Sequence, residues 1–210
     1  MRTIALVLFD LDGVLADYDH AIRLRVLAER SGASEQAVSA VLFESGLERD
    51  ADLGLHDAQG LLDELARRLG AAVSLQDYIA ARRAAMTVNA ATLEFARSLA
   101  PRTRIALLTN NNLLLRDHLP AICPPLFPLF LDRVFCSAQF KRGKPDPEVF
   151  RQCLQALDAA PHACLFIDDK AENAQGARAA GLSAHHYLDP SALRAELTQR
   201  GLLEQHTHAH

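Results

Sequence analysis

An unbroken apolar run that ends in carboxylates is the feature that most constrains this chain. Ile4-Ala5-Leu6-Val7-Leu8-Phe9 leads without a polar residue into Asp10-Leu11-Asp12-Gly13. A strand with one wet face alternates polar and apolar residues. A strand with no polar position suits burial on both faces, as in a parallel sheet covered by helices. Open α/β sheets bind ligands beyond the carboxyl ends of their strands. Asp10 and Asp12 therefore stand where chemistry is done, and Gly13 permits the sharp turn behind them.

A chain of 210 residues can bury one sizeable core, or a core that carries a smaller inserted domain. Half the residues are apolar and 23% are charged, the balance of a soluble globular protein. The net charge of −4 and the lack of a dense Lys/Arg stripe argue against nucleic acid or an anionic membrane as principal partner. Cys123, Cys136, Cys153 and Cys164 show no CxxC spacing and read as reduced, mostly buried thiols. The first ten residues run straight into the Asp pair, so cleavage of a signal peptide would remove the strand. No apolar run is long enough to span a bilayer. The expected location is cytoplasmic, and the expected assembly is a monomer or homodimer.

The texture changes at Asp17. Up to Thr87, Ala, Leu, Arg and Glu dominate, and Leu61, Leu62, Leu65 and Leu69 recur at helical spacing. About four helices and no strand are expected here. Residues 17–87 thus read as a small all-α domain inserted into a core of residues 1–16 and 88–210. Asn89 can cap a helix through Leu99. Arg104-Ile105-Ala106-Leu107-Leu108 then forms a second apolar strand, ending in Thr109-Asn110-Asn111-Asn112. Residues 120–131 read as an irregular packed connection and 133–136 as a short strand. Asp146 caps a helix that has Pro147 at its first position. A fourth strand, Ala163-Cys164-Leu165-Phe166-Ile167, ends in Asp168-Asp169. A helix to Gly181, a fifth strand over 184–188 and a last helix over 190–201 follow. The histidines of the tail 205–210 read as a free end with adventitious metal affinity. Alternating strands and helices give a Rossmann-like parallel sheet flanked by helices, with the all-α insertion above its carboxyl edge.

Three strands in this reading end in polar groups: Asp10 and Asp12, Thr109 and Asn110, Asp168 and Asp169. Taken singly, each has a plain structural reading as a strand end, a turn or a helix cap, and Lys144 alone reads as a surface lysine. A parallel sheet brings them to one edge, where four carboxylates cannot all stay ionised without a neutralising charge. A hard divalent cation with oxygen ligands meets that need, and Mg²⁺ is the usual choice beside a phosphate. Lys144 adds a further positive charge.

The motifs Phe9-Asp10-Leu11-Asp12-Gly13-Val14-Leu15, Leu107-Leu108-Thr109-Asn110, Gly143-Lys144-Pro145-Asp146-Pro147 and Phe166-Ile167-Asp168-Asp169 resemble, in this order, those of the haloacid dehalogenase (HAD) superfamily. The inserted helices match the small helical cap of its subfamily I in position and helical character. The resemblance implies roles. Asp10 would be the nucleophile that forms an aspartyl-phosphate. Asp12 would be the general acid and then the base. Thr109 and the backbone near Asn110 would hold phosphate oxygens. Lys144 would stabilise the nucleophile and the phosphoryl charge. Mg²⁺ would be held by Asp10, the Asp12 carbonyl and the Asp168-Asp169 pair, with Asp169 the favoured direct ligand.

An acid at Asp12 matches the family's phosphatases and mutases, not its dehalogenases. The resemblance therefore implies a Mg²⁺-dependent phosphatase of a small phosphorylated metabolite, with a sugar phosphate favoured. A sugar phosphomutase and a non-catalytic protein that retains the fold are the alternatives. A dinucleotide-binding protein is weaker, since no glycine-rich loop follows the first strand. Asp17, Tyr18, Asp19, His20 and Arg23 fall near the entrance, and by position so do Glu44, Arg49 and His56. A solvated helix face is the plain reading of each.

Overall fold

The computed structural model describes residues 3–204; the histidine tail lies outside them. The first apolar run becomes β1 (Leu6–Phe9), followed by β2 (Ala16–Tyr18). Helices α1 (His20–Ser31), α2 (Glu35–Ser39), α3 (Leu47–Asp52), α4 (Ala58–Leu69) and α5 (Leu75–Ala85) come next. A π-helical turn, Ala40–Glu44, separates α2 from α3, and β3 (Met86–Val88) follows α5. The chain continues through α6 (Ala90–Leu99), β4 (Arg104–Thr109), α7 (Leu113–Ile122), β5 (Val134–Cys136) and α8 (Ser137–Phe140). It ends with α9 (Pro147–Ala156), β6 (Cys164–Asp168), α10 (Ala171–Ala179), β7 (Ser183–His186) and α11 (Pro190–Gln199).

The five-stranded sheet has the order β5-β4-β1-β6-β7, and every neighbouring pair is parallel. Side chains alternate across it, which explains the unbroken apolar runs. Val7, Phe9, Ile105, Leu107, Leu165 and Ile167 enter one core cluster. Leu6, Leu8, Ala106, Leu108 and Phe166 enter the other, against Val149, Phe150 and Cys153 of α9 and Ala177 of α10. Each fully buried Leu, Ile or Phe contributes about 1.5–3 kcal/mol, so both faces hold the central strands in place.

The strand-free reading of residues 17–87 needs correction at both ends. β2 and β3 pair antiparallel, Ala16 opposite Val88 and Tyr18 opposite Met86. This ribbon brackets the inserted helices at entry and exit. Strands of three residues are too short to carry a period, so sequence pattern could not reveal them.

Helix ends follow local chemistry. Asp19 caps α1 by accepting from the backbone N–H groups of Ala21 and Ile22 at 2.8 and 3.1 Å. Ser74 and Asp77 form a reciprocal capping box on α5, and Asn89 accepts from the Thr92 N–H at 3.2 Å. The apolar face of α4, Leu61, Leu62 and Leu65, is buried. It joins Tyr78 of α5 in the cluster that contains Leu114, Leu115 and Leu119 of α7. The inserted helices are thus seated beside the carboxyl end of β4, where α7 begins. All four cysteines are free and buried. Among the described residues, no helix is long and apolar enough to cross a membrane.

Candidate active site

The order of strands decides the site. β1 lies between β4 and β6, and Phe9 stands opposite both Leu107 and Ile167. Asp10, Thr109 and Asp168 therefore leave the sheet side by side. Asp10 is 6% exposed, Thr109 1% and Asp168 0%. Lys144 reaches the same point from the loop between α8 and α9. Its Nζ lies 2.7 Å from Asp10 Oδ1 and 2.6 Å from Asp168 Oδ2 and donates to the Leu108 carbonyl at 3.2 Å.

Asn110 holds the lysine there. Its side-chain amide donates to the Lys144 carbonyl and accepts from the Lys144 N–H, both at 2.8 Å. Its side chain is thus committed to the loop. The sequence reading had assigned phosphate contact to the backbone near it.

One ammonium cannot balance two carboxylates, and the rest of the bonding supports the charge of one acid more than that of the other. Asp168 Oδ1 also accepts from the Lys170 N–H at 2.8 Å and from Asn173 Nδ2 at 2.9 Å. Burial opposes its charge, but Lys144 and these donors hold its pKa below the ordinary carboxylate value. Asp10 has fewer supports. Burial pushes it up to about 8, with Asp168 and Asp12 adding to the rise and Lys144 opposing it. Lys144 loses hydration on burial, yet Asp10 and Asp168 keep its pKa above the usual lysine value. Asp10 Oδ1 also accepts from the Leu11 N–H at 2.7 Å, whereas Oδ2 accepts no hydrogen bond among the described residues.

Asp12 projects from the turn that follows β1. Its Oδ2 accepts from Asn111 Nδ2 at 3.0 Å, and the same nitrogen donates to Thr109 Oγ1 at 2.8 Å. Asn111 Oδ1 in turn accepts from Arg82 Nη2 of α5. Arginine is donor-only, so this contact fixes the amide with its nitrogen toward Asp12. Sequence reasoning passed over Asn111 and Arg82. The run of three asparagines was a signal only for a polar turn, and the partner helix is remote in sequence.

Asp10, Asp168 and Asp169 each offer an oxygen within 4.8 Å of the others. Asp169 Oδ1 and Asp12 Oδ1 are buried without a hydrogen-bond partner. Burial, and next the neighbouring Asp168, raise the Asp169 pKa. Gly13 has φ +84°, and a β-carbon there would come within 2.6 Å of Asp169 Oδ2, so glycine leaves that oxygen room. A crowded set of hard oxygens with charge left over fits a divalent cation.

Two connected clefts open on these groups, one of about 350 Å³ over Asp10, Thr109 and Asp169 and one of about 600 Å³ running toward α5. Asp12, Asn110, Lys144, Tyr18, His20 and Lys170 line both. Of the other entrance candidates, Arg23 and Arg49 line the larger cleft and Asp17 the smaller. Asp19 is spent on capping α1. Glu44 and His56 line neither cleft; Glu48, Asp52 and Arg82 do.

Residues 4–181 match the model of the haloacid dehalogenase-like hydrolases. The chain belongs to this family. It is 31% identical over 206 residues to a Mycobacterium tuberculosis protein named Phosphatase MT3486, with 87% of each chain covered. A solved structure of a predicted HAD-like hydrolase from Porphyromonas gingivalis superposes with a TM-score of 0.75 at 26% identity, covering 97% of this chain and 100% of that one. The HAD family enzyme bt-2542 of Bacteroides thetaiotaomicron, in complex with magnesium and inorganic phosphate, gives 0.73 at 23% identity, covering 90% and 98%. The protein is accordingly a hydrolase of the phosphatase type.

Proposed function

We propose that this hydrolase cleaves a small phosphomonoester metabolite, with a sugar phosphate as the substrate class, through an aspartyl-phosphate on Asp10. The observation that carries the reading is the pairing of a supported Asp10, one oxygen held by Lys144 and Leu11 and the other unbonded, with Asp12 fixed by Asn111 two residues away. Asp10 Oδ2 attacks phosphorus as the bond to the leaving oxygen breaks, and Asp12 delivers its proton to that oxygen. Asp12 then takes a proton from water; the water oxygen bonds to phosphorus and the Asp10 carboxylate departs. Thr109 and the backbone N–H groups that follow it hold phosphoryl oxygens, and Lys144 offsets their charge.

Mg²⁺ fits Asp10, the Asp12 carbonyl and Asp169, with Asp168 bound directly or through water. When bound it screens the repulsion between an anionic nucleophile and an anionic phosphate. Asp169 is the favoured direct ligand because its Oδ1 is buried and unpartnered, whereas both Asp168 oxygens are engaged. Residues 17–87 serve as the cap that covers the larger cleft and sets specificity, over a core of 1–16 and 88–210. Four buried thiols suit a cytoplasmic protein, working as a monomer or homodimer.

Phosphate release from a panel of phosphorylated metabolites, with Mg²⁺ and with chelator, tests this reading for wild type and Asp10→Asn. Release that requires both Mg²⁺ and Asp10 is expected. Isomerisation of sugar phosphates without release would make the protein a mutase instead.

A further inference from the structure

The larger cleft contains a buried charge that has no ion-pair partner among the described residues. Arg82 of α5 is 2% exposed and lines this cleft together with Asp12. Among the described residues it takes part in no ion pair. Its hydrogen bond from Nη2 goes to Asn111 Oδ1, a neutral amide. Its guanidinium lies 4.9 Å from the centre of the Tyr18 ring. Its Nε is buried without a partner, and no hydrogen bond from Nη1 occurs among the described residues.

Arg23 in the same cleft is the internal contrast. It is as buried, at 1% exposed, and its Nε is likewise unpartnered, but it donates to both carboxylate oxygens of Glu48, at 2.6 and 2.8 Å, so the two differ in having a counter-ion. An always-charged guanidinium removed from water without a counter-ion is costly. Glu48 is committed to Arg23. Asp12 is joined to Arg82 only through the neutral Asn111 amide. Asp52 makes no ion pair with it among the described residues, and burial and then Glu48 push the Asp52 carboxyl up. Arg49 and Lys170 add positive charge to the cleft wall, while Leu42, Phe43 and Leu53 offer apolar surface for a carbon frame.

We infer that Arg82 binds a second acidic group on the substrate, so that the ester cleaved here also carries a carboxylate or a further phosphate. This rests on the phosphatase reading for the first phosphate, which occupies the smaller cleft beside Asp10. The second acid lies in the larger cleft, and the guanidinium N–H groups left over from the Asn111 bond, those of Nη1 first, suit a carboxylate or phosphate. A neutral sugar in the same place would leave the charge uncompensated, and the site would discriminate against it.

The test compares matched esters: 6-phosphogluconate against glucose 6-phosphate, 3-phosphoglycerate against glycerol 3-phosphate, and fructose 1,6-bisphosphate against fructose 6-phosphate. Wild type should favour the acidic member of at least one pair by about tenfold or more in kcat/KM, the scale of a charge-assisted hydrogen bond. The first two pairs report a carboxylate and the third a phosphate. Arg82→Gln should bring that ratio close to one. Arg82→Lys, which keeps the charge without the fork, should fall between. Equal rates within every pair for wild type, or a preference unchanged in Arg82→Gln, would overturn the inference.

Calorimetric binding of gluconate and glycerate, against glucose and glycerol, needs no turnover. If no ester releases phosphate, the phosphatase reading fails and this binding decides alone. Acid bound by wild type and lost in Arg82→Gln supports the site, and no selective binding removes it. Should Arg82→Gln fail to fold, the wild-type ratios and Arg82→Lys decide.

Discussion

Asp52→Asn should make the protein more stable at neutral pH, and the gain should vanish in acid. Asp52 ends α3, where its Oδ1 accepts from Asn112 Nδ2 at 3.2 Å. Burial lifts its carboxyl from the ordinary 3.8 to about 8; Glu48 adds to the rise and Arg82 opposes it. Below pH 3.8 the acid is protonated whether the chain is folded or not. Between 3.8 and about 8 the unfolded chain releases the proton and the folded one retains it, so stability falls as pH rises. At pH 7 that gap corresponds to about 4 kcal/mol, from about 1.36 kcal/mol per pH unit. Asp52 keeps some surface open to the cleft, and solvent screening reduces this to about 2 kcal/mol. Asparagine preserves the acceptor for Asn112 and removes the titration. Urea and thermal unfolding at pH 7.5 should show a gain of about 2 kcal/mol and a Tm higher by about 4–8 °C. The difference should shrink toward zero near pH 4. A variant equally or less stable at both pH values, or a gain independent of pH, would refute the reasoning.

Other residues give further expectations. Asn111→Ala removes the donor that Asp12 and Thr109 share and leaves Arg82 without its acceptor. Steady-state kinetics should show kcat lowered by about ten- to a hundredfold, the scale of a hydrogen bond to a charged group, with KM changed far less. Gly176 on α10 faces the Pro145 carbonyl so closely that a β-carbon would collide with it. Backbone cannot yield as a side chain does, so Gly176→Ala should lower stability by about 1–3 kcal/mol in denaturant unfolding. It should also lower kcat, because Pro145 carries the loop that aims Lys144.

The polar carboxyl edge of the sheet was legible because its code is local. Ile4–Phe9, Ile105–Leu108 and Cys164–Ile167 are continuous apolar runs, and each hands its carboxyl end a polar group directly. A parallel sheet then places those ends together without further information. The carboxylates and Lys144, named from the order of their motifs, are brought to one point.

The cleft toward α5 was not legible, because its contacts cross from one element to another. Arg82 of α5 meets Asn111 in the connection between β4 and α7, and Arg23 of α1 meets Glu48 of α3 past α2 and a π-helical turn. Position in sequence put Glu44, Arg49 and His56 near the entrance without ranking them; the larger cleft is lined by Arg49 and by Glu48, which sequence position did not single out. Asp19 is a further case. It stands near the entrance in sequence, yet its carboxylate is engaged with the N–H groups that open α1. Asn110 lies at the carboxyl end of β4, where its side chain is bonded to the Lys144 backbone, a contact that sequence pattern does not reveal.

Phosphate release by wild type and Asp10→Asn, each with Mg²⁺ and with chelator, tests the central claim most directly. Release by wild type with Mg²⁺, lost on chelation and absent from a folded Asp10→Asn variant, is the predicted result. Release that persists in that variant at the wild-type rate would contradict the assignment of Asp10 as nucleophile and the account built on it.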